Sequence, residues 1–556
     1  MKYLKFFLVI LYISLFSNSS FTQTQNDIKL IQYLRLQQLI GQISDSISFI
    51  QPMNTFFRIK ENDNLINGIN AKHKKLPFEI LKIAPILKKD FYSNHHPIII
   101  NNEGLPKTAG YQTVLSAGIY FKKKHFEFQS RPNFSFSENK YFETFYTNHA
   151  DITWRDYYQW INRIDNPEYL GSSPIKKASI SNTSLSYNHN STKIEISNKN
   201  IWWGPGIKNA LIMTNNAEGF SNINLSSSKP IKTEIGDLEF QFVTGLLKNS
   251  DVPPNEPNRV YQGEFLYRPK LNSKRIFTGG LVSFQPKKLQ GLHLGYTKAA
   301  YSYYKYSKSP LDYLPLFGSL GNRVTYSETN DYKKMMGSVF ARYLMKNDNA
   351  EIYAEYGNNN RVINPLLFLS KNKSPSGYII GVKKAIIIGS NKFVDIGFEY
   401  TDLSLKDIYH IKNIQSWYID DKIRHGYTHK GKIIGSGIGP GGESQFLQIG
   451  FNKGINRIGI ELERRVYNND FYYYTFERVR DFRRHWVDLI SNIEFDIQLK
   501  NMLIGGKLSA TRTLNYQWFY QEYEPITDGN SYYKNGLDYF TLEGNFYIYY
   551  LLNFKK

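Results

Sequence analysis

The chain has 556 residues, no cysteine and a formal net charge of +21, from 69 basic and 48 acidic side chains. The lack of cysteine excludes disulfides, thiol chemistry, cysteine-ligated metals and a lipid-modified N-terminal cysteine. The charge favours an anionic partner such as an acidic polysaccharide or lipopolysaccharide, although the abundance of Lys, Asn, Ile, Tyr and Phe also fits the coding bias of an AT-rich genome.

Residues 1–22 read as a signal peptide. Lys2 and Lys5 precede an apolar run from Phe6 to Phe16, and Ser20 and Thr22 supply small residues around a cleavage site. The run is too short to cross a bilayer as a helix. Export argues against nucleic acid as a partner. Residues 23–105 are expected to form a periplasmic helical region. Asp27 stands as an N-cap, and Ile28, Ile31, Leu34, Leu36, Leu39 and Ile43 recur at three- and four-residue spacing. A second helical stretch is expected from Phe78 to Phe91, with Ile80, Leu81, Ile83, Ile86 and Leu87 apolar and Pro85 as a kink.

From Ala109 the period falls to two, and Ala109, Tyr111, Leu115, Ala117, Ile119 and Phe121 share a face. The longest example puts Val487, Leu489, Ser491, Ile493, Phe495, Ile497 and Leu499 on one side. Trp486, Asp488, Ile490, Asn492, Glu494, Asp496, Gln498 and Lys500 lie on the other. In 455–467, Ile458, Ile460, Leu462 and Val466 oppose Arg457, Glu461, Glu463 and Arg465. Mean hydropathy is only −0.45, as expected when lipid-facing and lumen-facing residues alternate. A soluble sandwich with one wet face is the competing reading. A transmembrane barrel suits the long strands and the mixed charges of the polar face better. Residues 106–556 are therefore expected to form a mainly β, antiparallel outer-membrane barrel. Its roughly 450 residues, at roughly 25 per strand and connection, give about eighteen strands. Phe546, Ile548, Tyr550, Leu552 and Phe554 alternate towards the C-terminus, as barrels often end, although Lys555 and Lys556 follow.

An even strand number puts both mature termini in the periplasm. Walking back from the last strand, 517–537 is extracellular, Lys500-Asn501 a periplasmic turn and 468–485 extracellular. Asn452-Lys453-Gly454 is then periplasmic and 425–442 extracellular. The side on which residues 201–206 lie stays open.

Those residues read Ile-Trp-Trp-Gly-Pro-Gly. Trp202, Trp203, Gly204, Pro205 and Gly206, with Asn215 and Asn216 beyond them, resemble the Wzi family of capsule-assembly proteins, as does 425–445. The resemblance implies an approximately eighteen-stranded outer-membrane barrel with a periplasmic helical region. It also implies a lectin-like role in holding capsular polysaccharide or exopolysaccharide at the surface. Taken by themselves, the two tryptophans fit barrel construction better than sugar stacking.

The candidate glycan contacts are Arg478, Arg480, Arg483 and Arg484, interleaved with Tyr473 and its neighbours, together with Trp518, His425 and His429. Arginine forks suit uronic-acid carboxylates, and tyrosines add stacking and hydroxyl contacts. Self-pairing of this loop through Glu477 and Asp481 is the competing reading. His425 and His429 lack a third ligand, so no metal is expected, and nothing calls for a cofactor. Asp481, His485 and Asp488 have no serine partner with an oxyanion arrangement, so no enzyme is expected. A porin-like channel remains the alternative function. Outer-membrane lipid and lipopolysaccharide are expected as the barrel's surroundings.

Overall fold

The computed structural model describes residues 28–50, 80–306, 333–359, 375–405, 416–476, 485–518 and 538–550. One antiparallel sheet closes on itself. It contains nineteen segments, of which Asn222–Ser227 and Ile231–Lys232 pair in tandem with one neighbour, so the cylinder has eighteen staves. In chain order these are β1 (Ile80–Ser93), β2 (Gly110–Lys123), β3 (Phe126–Ser137), β4 (Ile175–His189), β5 (Thr192–Ser197) and β6 (Asn222–Ser227, continued by Ile231–Lys232). Then come β7 (Gly236–Leu247), β8 (Arg275–Pro286), β9 (Leu292–Tyr303), β10 (Lys333–Met345), β11 (Ala350–Asn358) and β12 (Ser376–Gly389). The last six are β13 (Lys392–Asp402), β14 (Glu443–Lys453), β15 (Asn456–Val466), β16 (Val487–Leu499), β17 (Met502–Leu514) and β18 (Tyr539–Tyr550). β1 closes the ring on β18, from Ile86↔Tyr550 to Ser93↔Glu543.

The alternation in the sequence becomes an inside-out surface. On β15, Ile458 and Ile460 are 57% and 54% exposed, while Glu463 and Arg465 are 3% and 2% exposed. β16 repeats this, with Leu489, Ile493 and Ile497 outside and Asp488, Asn492 and Glu494 inside. A soluble sheet would bury its aliphatic face. A belt with the aliphatic side out is stable against lipid, where an arginine at midplane would cost about 2–4 kcal/mol. Among the described residues no helix is long and apolar enough to cross a membrane, and the staves carry this outer surface instead.

Connections alternate strictly in length. Tight turns join β2–β3, β4–β5, β12–β13, β14–β15 and β16–β17, where His189 pairs with Thr192 and Leu499 with Met502. Asn190, Asn391 and Lys500 take left-handed φ values of 53°, 58° and 43° there, as two-residue hairpins require. β6–β7, β8–β9 and β10–β11 are joined by short connections at the same end, and the connections that alternate with these are long and leave from the opposite end. The first and last staves both have their free ends at the short-turn end.

One sequence expectation fails. Residues 80–93 form β1, not a helix, so the first stave lies within the stretch 23–105 that the sequence assigned to a helical region. The register with β2 slips between Ala84 and Leu87. Pro85 and Ile86 thus make a bulge, the place where a sheet tolerates a residue without an N–H. The extra residue offsets the apolar positions by one, which imitates helical spacing.

α1 (Ile28–Leu39) is a helix, as expected, but it lies inside the cylinder and not beneath it. Leu36 and Leu39 pack on Leu344, Ala385 and Phe393 of the inner wall. Arg35 Nε donates to Glu351 (2.8 Å), and the wholly buried Arg342 reaches Glu351, Gln38 Oε1 (2.8 Å) and the Ser48 carbonyl (2.9 Å). Two carbonyls, those of Ser48 and Ile50, then hand the segment on to the wall and to Gly204 N (3.0 Å).

Above α1 the lumen is filled by 201–217, between β5 and β6, and by 416–442, between β13 and β14. Trp203, Leu211, Ile212, Trp417, Tyr418 and Ile434 form one buried cluster with inward residues of β7–β12, including Val243, Phe277, Leu281 and Tyr353. Two segments cross-link directly: Thr214 N donates to the Ile434 carbonyl (2.8 Å), Asn216 Nδ2 to that of Ile433 (2.9 Å) and Tyr418 OH to that of Leu211 (2.7 Å). A wall carboxylate, Glu399, accepts from the backbone N–H of Ile207 (2.7 Å), Lys208 (3.2 Å) and Asn209 (2.8 Å) and from Tyr353 OH (2.8 Å). A buried N–H left without a partner costs about 1–3 kcal/mol. Glu399→Ala is therefore expected to raise hydrogen exchange at residues 207–209 at least tenfold, with the strand amides unchanged; equal protection in both proteins refutes this anchoring.

The long-loop end is tied down through α3 (Asn469–Phe476). Asp470 accepts from Leu405 N (2.7 Å) and Ser416 Oγ, joining α3 to both described flanks of 406–415. Burial pushes its carboxyl up to about 7, with Asp402 adding to the rise and the two hydrogen bonds opposing it. The fold thus retains a proton that the unfolded chain releases at the ordinary aspartate value of 3.8. Stability from this group is full below that value and is lost as pH rises towards 7. The melting temperature of the wild type relative to Asp470→Asn should fall between pH 4.5 and 7.5; a difference independent of pH would contradict the buried proton.

Candidate functional site

The long-loop end carries an aromatic platform. It is built on α2 (Asp151–Ile161), between β3 and β4, whose Trp154, Tyr157 and Tyr158 are buried. Spacing of Trp154, Tyr157, Tyr158 and Ile161 at three and four residues makes one apolar helical face, packed towards α3. Phe145 stacks on Tyr157 with ring centroids 3.9 Å apart, and Phe471 of α3 meets Trp518 at 4.9 Å. Trp486 bridges from Tyr467 (4.0 Å) to Trp518 (5.2 Å). Rings of this kind bury large area at little rotamer cost, and each favourable pair adds about 0.5–1.5 kcal/mol.

Guanidinium groups sit on the rim of this platform. Arg259 lies 4.3 Å over the Trp154 ring and pairs with Asp151 (3.0 Å) and Glu256 (3.1 Å). Arg155 lies 5.9 Å from the Tyr261 ring and bonds Asp156 (2.9 Å), which holds its guanidinium charged more firmly than usual. Tyr141 and Phe265 turn outward, 72% and 65% exposed. Beneath the rim the chemistry is structural. Burial pulls His149 down to about 4, so it is neutral, with Nε2 3.2 Å from the Gln517 carbonyl. Burial raises the carboxyl of Glu168, which still accepts from Phe145 N (3.1 Å).

The structure divides the residues singled out by sequence. Tyr473 and Trp518 belong to the same aromatic cluster; Trp518 is buried and supports it, whereas Tyr473 is half-buried at its edge. His425 and His429 lie elsewhere, buried in the lumen. His425 Nδ1 is 2.9 Å from Tyr303 OH, and His429 Nδ1 accepts from Lys248 N (3.0 Å). Arg478, Arg480, Arg483 and Arg484 lie outside the described residues, between Phe476 and His485, both of which are buried. His485 bonds Asn469 (2.8 Å), while Asp488 holds Tyr467 OH (2.7 Å) and Thr513 (2.7 Å), so His485 and Asp488 are not arranged as partners. Among the described residues no three His, Asp or Glu side chains come together as a metal site.

The paired tryptophans point apart. Trp203 is fully buried, donates through Nε1 to Gln241 (2.8 Å) and bridges Met213 through its backbone N–H (3.1 Å). At Gly204 φ is +123° and a Cβ would stand 2.8 Å from Glu355; at Gly206 it would meet the Asn209 carbonyl at 1.9 Å. Glycine is required at both positions for the chain to turn against the wall. Trp202 instead faces a polar chamber in the lumen. The segment therefore enters the barrel from the long-loop end. α2 with Arg155, and Arg259 beside it, escape the sequence reading, because a period of two is assigned to everything beyond Ala109, although 151–161 has a helical period of its own.

A family model described as capsule assembly protein Wzi matches residues 92–486. Escherichia coli Wzi is described as an outer membrane protein involved in group 1 capsule assembly and a carbohydrate-binding β-barrel. It superposes with a TM-score of 0.59 at 11% identity, over 96% of this chain and 99% of its own. Acinetobacter baumannii OccAB4 (TM-score 0.38, 10% identity, 85% and 98% covered) and Pseudomonas aeruginosa OccK2, solved with glucuronate (0.36, 10%, 85% and 99%), are more distant likenesses. No curated protein matches. A match over well more than half of the chain, on an eighteen-strand barrel with the same fold as E. coli Wzi, settles the family: the chain belongs to the Wzi family of capsule assembly proteins.

Proposed function

We propose that this protein is a non-enzymatic outer-membrane lectin that binds capsular or other surface polysaccharide and helps to assemble or anchor it on the cell. The long loops face outward and both mature termini face the periplasm. The observation that carries the reading is the combination of a lumen packed with a hydrophobic core and a long-loop face of stacked aromatics rimmed by guanidinium groups. A filled lumen argues against the porin-like alternative, because a through-channel needs a continuous wet path. Aromatic faces pack against the C–H faces of sugar rings, and arginine forks bind uronate carboxylates bidentately.

The reading is supported by the positions in the chain that flank the arginine-rich segment 478–484: Phe476 and His485 are both buried beside the platform. Arg478, Arg480, Arg483 and Arg484, with half-buried Tyr473, are the proposed anionic-glycan contacts. Four ionic contacts to the glycan, at about 0.5–1 kcal/mol each, would sum to roughly 2–4 kcal/mol. Changing all four arginines to Ala should weaken binding of the cell's own extracted surface polysaccharide at least about 30-fold, measured on purified protein in detergent. Unchanged affinity would remove this segment from the site.

A further inference from the structure

A cluster of lysines lies at the long-loop end, apart from the arginine-rich segment. The β1–β2 connection supplies Lys107, β4 supplies Lys177, Glu218 directly follows the filling segment 201–217, and the filling segment 416–442 supplies Lys430 and Lys432. These four parts of the chain are tied to one another. Glu103 N donates to the Asn215 carbonyl (2.9 Å), and Lys432 Nζ donates to Asn102 Oδ1 (2.8 Å) and to the Leu105 carbonyl.

The cluster carries more positive charge than it neutralises. Among the described residues, Glu218 is the one carboxylate that pairs with any of the four lysines, accepting from Lys177 (2.5 Å) and from Lys430. Lys432 reaches only neutral acceptors, and Lys107 only Asn166 Oδ1 (3.2 Å). Glu168 lies near Lys107, but burial raises its carboxyl, and Tyr157 and Phe145 N already occupy it. Sheltered ammonium groups without an opposite charge are costly. Burial and the like charges of Lys107 and Lys177 hold Lys432 well below its ordinary range. Burial and Lys177 pull Lys430 down to about 8 in spite of Glu218. An added anion would relieve both.

The front of the cluster is open. The Lys177 and Lys430 side chains are 40% and 36% exposed. Each ammonium has three donors and spends one on Glu218, so both keep N–H groups for an incoming anion. Lys430 stands at the tip of the hairpin Thr428–His429/Lys432–Ile433, with φ +47° beside Gly431 at +77°. Such tips favour Asn or Asp before Gly, and a lysine there costs backbone strain. That strained position is what carries the ammonium to the cluster. Lysine lacks the planar fork with which arginine grips a carboxylate, and it serves phosphate as a point charge. A phosphate monoester brings about −1.5 to −2 charges, more than a single uronate. Ile180, three positions along β4 and 66% exposed, is on the outer face, so Lys177 is on the inner one. The cluster therefore opens into the barrel mouth, away from lipid headgroups around the wall.

We propose that Lys177 and Lys430, with Lys107 and Lys432 behind them, bind a phosphate monoester carried by a surface polysaccharide. The site is separate from the arginine-rich segment. It rests on the polymer-holding reading above for the source of the phosphate.

The test is a titration of the full chain in detergent, in phosphate-free buffer, with glucose 1-phosphate followed by phosphorus NMR. Binding should be saturable and millimolar or tighter, and glucuronate should displace the probe only at much higher concentration. Lys177→Gln and Lys430→Asn, the latter suited to the turn, should each weaken binding at least about fivefold. Glu218→Gln, which removes the competing carboxylate, should strengthen it, a gain that a damaged fold would not produce. The cell's own extracted polysaccharide should displace the probe. If glucose 1-phosphate does not bind while the polysaccharide does, the phosphate site is overturned and the polymer-holding reading stands. If the probe binds and the polysaccharide binds nowhere, the polymer is overturned as the source, and the polymer-holding reading falls with it. Displacement by purified lipopolysaccharide and not by the polysaccharide also overturns that source. Equal displacement by glucuronate overturns the preference for phosphate.

Discussion

An eighteen-strand cylinder is wider than its own side chains can span, so its interior must be either wet or filled by chain from elsewhere. Much of this structure follows from filling it. Residues 31–50 enter at the short-turn end, 201–217 and 416–442 descend from the long-loop end, and they meet near Gly204. Once inside, every backbone N–H must find an acceptor. Glu399 accepts three of them from the wall, while around α1 Arg342 donates to the Ser48 carbonyl and Glu351 accepts from Arg342 and Arg35. Buried charge on the inner wall is tolerable because it is paired or bonded to the filling chain, for which a removed partner would leave a costly orphan.

The filling is lopsided. The apolar inward residues of β7–β12 take the hydrophobic side of the plug, whereas charged residues of β15–β18 line the chamber. The paired tryptophans sit on this divide, with Trp203 locked into the core and Trp202 on the wet side. A strand-like dipeptide puts neighbouring side chains on opposite faces, and here that local rule sends one ring into the core and the other to the chamber wall.

Barrel class, strand number and the outward direction of the aliphatic face were legible, because a period of two sustained over β15 and β16 admits few other structures once the charged face is known to be inside. The tight turns at Lys500-Asn501 and Asn452-Lys453-Gly454 were also legible. β1 was not, since a bulge at Pro85 shifts its apolar positions by one. The helix 151–161 was hidden within a long loop of a β protein. Above all, the filling of the lumen depends on contacts between residues two hundred positions apart, such as Thr214 with Ile434, for which no local pattern exists. For the same reason His425 and His429 looked like loop residues and are in fact buried supports.

On the proposed reading, a packed core in the lumen and an aromatic, arginine-rimmed long-loop face belong to a protein that holds a polymer at the surface and does not pass solutes through itself. The most direct test is the conductance of the purified full chain in a planar bilayer. A filled barrel predicts insertion without a steady open current. A large, ohmic and lasting conductance would contradict the packed interior and return the molecule to the channels.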